Sequence, residues 1–212
     1  MNILNLFFEY LGIFLLFVCT ILYFKSYSKH TIALKYFSWY LLAICCIQIT
    51  GFVLSKLTIR NLFLSHFYFW IQLILLSLFY KSLFTSKQKK YVSIVFICVC
   101  LILITQYLIN PNKFFVFNTL EIFITTFPIV IYTMTHLYNA LTKKGKFMYI
   151  NAAILIYLTT STLIYILGDY LSNLRGELIS NIWFLNKVLY VVYISLILTE
   201  WKMSILPLKN NK

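Results

Sequence analysis

Seven uninterrupted apolar stretches, each of about 20 residues, take up nearly the whole chain. As an α-helix, a stretch of that length crosses the ~30 Å hydrocarbon core of a bilayer. The windows are 4–24, 37–57, 62–80, 91–109, 118–141, 148–171 and 181–201. Hydrocarbon holds no water to pair with a free peptide group, so each span is expected to be helical. Strands of a barrel would be shorter and would alternate polar with apolar residues. The chain therefore reads as all-α: a polytopic integral membrane protein forming one seven-helix bundle over residues 1–212. Composition agrees, with 62% hydrophobic and 11% charged side chains; a soluble domain has about 25% charged residues. Soluble globular, disordered and disulfide-scaffold classes are excluded. The connections between spans are too short to hold a water-soluble catalytic domain.

The first span is expected to be retained and not cleaved as a signal. No Lys or Arg precedes Lys25, Glu9 lies within it, and bulky residues stand where a cleavage site needs small ones.

The cations set an orientation. Lys25, Lys29, Lys35, Lys81, Lys87, Lys89, Lys90, Lys143, Lys144, Lys146, Lys202, Lys209 and Lys212 fall on one side, thirteen in all. Only Lys56, Arg60, Lys113 and Arg175 fall on the other. The positive-inside rule places the N-terminus outside and the C-terminus in the cytoplasm. The +13 net charge is thus a topology signal, with attraction to anionic head groups at the inner face. Because the cations are spread over four short segments, no nucleic-acid partner is expected. Trp39, Tyr40, Tyr80, Tyr91 and Trp201 mark inner span ends, and Tyr107, Tyr170 and Trp183 mark outer ones, as an aromatic belt does.

Spans 1–3 and 5–7 share a pattern. Glu9 and Glu121 are 112 residues apart, Lys35 and Lys146 111, and Asn61 and Asn181 120; His66 and Asn186 then share a depth. This suggests a 3+1+3 internal duplication in parallel orientation.

Polar residues within the spans point to a site. Ionisable groups in hydrocarbon are costly, by roughly 2.5–3.5 kcal/mol or more, and usually face a bundle interior or a wet cavity. Glu121, Thr125, Pro128, Tyr132 and His136 recur at helical spacing and share a face of span 5. Leu158, Thr162, Tyr165 and Asp169 do so on span 6, as do Asn186, Tyr190 and Tyr193 on span 7. The expected site is an outward-facing polar cavity lined by Glu9, His66, Glu121, Asp169, Asn186 and Lys187. The alternative is a structural polar cluster, with the acids reaching head groups or pairing with Lys187.

A lysine in the seventh span resembles the microbial rhodopsins, in which that lysine carries retinal. Here span 3 has no acid near Trp70, position 183 is Trp, and span 6 lacks Trp and Pro. Seven spans in a 3+1+3 order also resemble the sugar carriers with Pro-Gln motifs, but Ile129 follows Pro128 and no Pro-Gln occurs. No cofactor is expected. Cys19, Cys45, Cys46, Cys98 and Cys100 make no CxxC and no ligand spacing with His30, His66 or His136, so no metal is expected. No catalytic residue can be assigned, since no P-loop, GxGxxG or nucleophile motif is present.

The expected function is a receptor-like or sensor-type module that binds a small or lipophilic ligand in the outer cavity. It would signal through a protein partner docking at cytoplasmic loops 81–90 and 142–147. A small transporter or channel subunit is the alternative, and a lipid-modifying enzyme or an anchoring subunit is a further one. The expected location is a bacterial cytoplasmic (inner) membrane, on AT-rich residue usage.

Overall fold

A computed structural model describes the backbone of residues 3–142, 145–171 and 176–205, and the side chains of 3–141, 145–168 and 180–204. Its α-helices are α1 (Ile3–Lys25), α2 (Ile32–Lys56), α3 (Phe63–Leu83), α4 (Ser86–Ile109), α5 (Thr119–Thr142), α6 (Met148–Leu171) and α7 (Gly176–Glu200). Two 3-10 turns, η1 (Tyr27–Lys29) and η2 (Pro111–Phe115), lie between them. The described chain is all-helical, and seven of its helices are long and apolar enough to cross a membrane.

Each apolar window becomes one helix, but α2, α4 and α7 begin earlier than hydropathy indicates, the first two at side-chain caps. Thr31 caps α2, its Oγ1 accepting from the Leu34 N–H at 3.4 Å. The helix therefore starts at Ile32, and Lys35 rides on it rather than in a loop. Thr85 and Gln88 form a capping box at α4, with the Thr85 N–H donating to Gln88 Oε1 at 3.1 Å. Lys87, Lys89 and Lys90 thus sit on the first turns of α4, and only Phe84 and Thr85 connect it to α3. Caps satisfy backbone donors whatever the hydropathy of the next turn, so helices outrun their apolar windows.

Contacts divide the chain into two compact units: Met1–Lys29 with Thr133–Lys212, and His30–Tyr132. In the first, α7 packs against both α1 and α6. The Tyr23 hydroxyl donates to the Ile197 carbonyl at 3.1 Å, and Trp201 Nε1 donates to the Leu22 carbonyl at 3.1 Å. Gly12 lies where a Cβ would meet the Tyr190 ring at 3.0 Å, so the missing side chain permits close approach of α1 and α7. Glu200, 1% exposed, accepts from the Tyr149 N–H at 2.9 Å. A carboxylate thereby caps the start of α6, where helix donors are unpaired and the dipole is positive.

In the second unit, α2 packs on α3, and α3 on α4. Leu34, Phe37, Leu41 and Ile44 of α2 and Phe69, Leu73, Leu76 and Phe79 of α3 are among its buried apolar residues. Asn61 Nδ2 donates to the Gly51 carbonyl at 2.9 Å, closing the α2–α3 turn. α4 keeps only Val92, Val99 and Leu103 buried, and Ile97, Leu101, Ile102, Ile104 and Leu108 all face outward.

Candidate ligand site

His66 lies one turn into α3 and Glu121 in the first turn of α5. Their side chains meet, His66 Nδ1 against Glu121 Oε2. His66 is 2% exposed and Glu121 1%. The Tyr107 hydroxyl, from the last turn of α4, donates to the same Glu121 oxygen at 2.7 Å and lies 3.0 Å from His66 Nδ1.

A second ring of polar groups fixes these three. Asn118 precedes α5 and accepts the Glu121 N–H at 3.3 Å, the cap of that helix. Its Nδ2 reaches the Tyr107 hydroxyl at 3.4 Å. Asn118 and Gln106 exchange reciprocal amide bonds at 3.1 and 3.2 Å. Above the pair, Phe114 of η2 stacks on the His66 ring at 5.1 Å and 22°. The start of α5, the end of α4 and the turn joining them therefore converge on one histidine.

Two atoms of this cluster have unused valences. Among the described residues, His66 Nε2 and Glu121 Oε1 are buried without a hydrogen-bond partner. Buried polar atoms are almost always paired. Below them, Gln72 Nε2 donates to Thr126 Oγ1 at 3.4 Å, and Gln72 Oε1 is likewise buried and unpartnered. The polar face expected on span 5 is buried throughout: Glu121, Thr125, Pro128, Tyr132 and His136 are all inside.

Of the six expected residues, the structure joins His66 with Glu121 in one unit and Glu9 with Lys187 in the other. Lys187 Nζ donates to Glu9 Oε2 at 2.6 Å, with side chains 30% and 35% exposed. In that same unit Asn186 Nδ2 donates to the Tyr165 hydroxyl at 3.5 Å, while Asn186 Oδ1 is buried without a partner. The Asp169 side chain lies outside the described residues. Among the described residues no group of His, Cys, Asp and Glu is arranged to hold a metal ion.

Sequence reasoning missed Tyr107, Gln106, Asn118 and Phe114. Tyr107 reads as one more interfacial aromatic, and Phe114 as loop. Asn118 with Glu121 three residues on carries the spacing of a capped helix start, and that signal was available.

Comparison with known proteins finds no matching family model, curated protein or solved structure. Function must therefore be argued from the site's own chemistry.

Proposed function

We propose that this chain is a multi-pass membrane sensor that recognises a small polar ligand at the His66–Glu121–Tyr107 cluster. One observation carries the reading. A buried, paired His66 and Glu121 each keep a buried polar atom with no partner. Such a pair is rarely a stability device, because well-packed apolar residues are commonly as stabilising or more so. Its presence within apolar helices points to function. A ligand with a donor for Glu121 Oε1 and a polar atom for His66 Nε2 would fill both valences. Glu9, Asn186 and Lys187 are candidate ligand groups of the other unit, and Asp169 is one on the polar face expected of span 6.

The cation asymmetry favours an N-terminus outside and a cytoplasmic C-terminus, and the AT-rich residue usage favours a bacterial inner membrane. In that orientation the cluster lies near the outer face, and Lys87, Lys89 and Lys90 lie at the inner one. One helix bears both: α4 carries Tyr107 in its last turn and the three lysines in its first two. Little of α4 is buried, so a pull on Tyr107 meets little packing resistance. A partner docked at 81–90 would receive that shift.

A second reading, a small transporter, draws on the polar line that continues from the cluster to Gln72 and Thr126. The test is mass analysis of small molecules released from gently purified protein. The sensor reading expects a compound present in wild type and absent from His66→Gln and Glu121→Gln proteins that still fold. Reconstituted liposomes should not accumulate it. Accumulation would favour the transporter. An empty wild-type protein, or retention by both variants, would overturn a ligand site at this cluster.

A further inference from the structure

A second site lies lower on α3 and α4, and it does not depend on the sensor reading. The two helices enclose a cavity of about 380 Å³, lined mainly by Ile74, Ser77, Leu78 and Lys81 of α3 and by Val92 and Phe96 of α4. That volume falls in the ~300–1,000 Å³ range of small-ligand sites. Its walls are apolar except for Ser77, Lys81 and Ser93, and the Ser93 hydroxyl is already bonded to the Lys89 carbonyl at 3.0 Å. Ser77 is 4% exposed, and its hydroxyl is buried without a hydrogen-bond partner. Lys81 is exposed and, among the described residues, forms no ion pair.

We propose that this groove holds one acyl chain of an anionic phospholipid from the surrounding bilayer, with the phosphate at Lys81. Three features select that occupant. Ile74 and Ile97 at the rim are exposed, so the groove opens towards the side that hydrocarbon would cover. The segment 80–91, which turns from α3 into α4, carries Lys81, Lys87, Lys89 and Lys90 and no acid. Finally, Ser77 is one turn, about 6 Å, deeper than Lys81 on the same face. That is where the glycerol ester of a lipid lies below its phosphate. Its hydroxyl would donate to the ester carbonyl, and the chain would run on past Leu78 and Ile74 against Val92 and Phe96.

The experiment is a lipid titration of the full chain in detergent, with bound copies counted by native mass spectrometry. Dioleoyl phosphatidylglycerol is compared with dioleoyl phosphatidylcholine. One tightly held phosphatidylglycerol per chain is expected, and phosphatidylcholine should bind at least about fivefold more weakly. Lys81→Gln should weaken phosphatidylglycerol about fivefold, equivalent to about 1 kcal/mol for one cation at a lipid surface. Ser77→Ala should weaken both lipids, and Val92→Trp, which fills the groove, should abolish the tight copy. Lys113→Gln should leave it unchanged, and circular dichroism shows which variants fold. The proposal fails if the two lipids bind alike. It also fails if Lys113→Gln costs as much as Lys81→Gln, because general surface charge then suffices. Should Val92→Trp not fold, an unchanged tight copy in both Lys81→Gln and Ser77→Ala overturns it equally.

Discussion

Replacing Glu121 with Leu should destabilise the protein far more than replacing His66 and Glu121 together. The single change takes the carboxylate from His66 Nδ1 at a site that is 2% exposed and leaves it only the Tyr107 hydroxyl at 3.0 Å. Breaking a buried pair from one side costs about 3–5 kcal/mol. For a chain of this length that corresponds to a fall of about 6–20 °C in Tm. With His66→Leu added, no imidazole needs a partner, and the remaining deficit is the Tyr107 hydroxyl, which has lost its 2.7 Å acceptor. An unsatisfied buried hydroxyl costs about 1–3 kcal/mol. Adding Tyr107→Phe should remove that deficit and bring the triple variant near wild type. The assay is thermal melting in one detergent, followed by circular dichroism at 222 nm, for the three singles, the doubles and the triple. Refutation is simple to recognise: additive losses, with the double variant as unstable as its two singles combined, would mean that the groups are uncoupled.

Other perturbations have smaller, separable outcomes. Lys187→Met should cost no more than about 1 kcal/mol in the same melts, because both partners of that pair are about one-third exposed. Gly12→Val should lower stability by about 1–3 kcal/mol, since its Cβ would already press the Tyr190 ring at 3.0 Å. Thiol labelling in detergent should modify the exposed Cys46 and Cys98 and spare the buried Cys19 and Cys45 until the protein is denatured, as read by peptide mass analysis. His30, between α1 and α2, is held below the ordinary histidine range by burial and then by Lys35. A lowered histidine pKa means that the unfolded chain takes the proton first. Stability is therefore complete above about pH 6.5 and declines as pH falls through the folded-state value. The fall in Tm between pH 8 and pH 5 should be larger in wild type than in His30→Gln.

The helices were legible because hydrocarbon admits few alternatives: twenty apolar residues in a row leave a backbone little choice. Their ends were less so. Hydropathy ends where lysines begin, yet Thr31 and Thr85 cap helices beyond that point, and Lys35 and Lys87 are helical. In the site, His66 and Glu121 stood out as ionisable residues among apolar ones. Their pairing did not, since it joins residues 55 apart in sequence, and no periodicity within one helix reports on another. Tyr107 was hidden by abundance: the chain has 17 tyrosines, and only the meeting of three helices distinguishes this one. Glu200 is buried and caps α6 through a contact 51 residues away, which no local pattern reports.

The two units differ in when they can form. His30–Tyr132 is continuous in sequence, so its helices leave the ribosome one after another and can pack as they arrive. The other unit is split: α1 is made first, and α7, against which it packs, is made last. At about 5–20 residues per second, Glu9 spends on the order of 10–30 s in the growing chain before Lys187, 178 positions later, is synthesised. During that interval α1 is a lone helix carrying an unpaired acid. The continuous unit can thus pack before α7 is available to complete the split one.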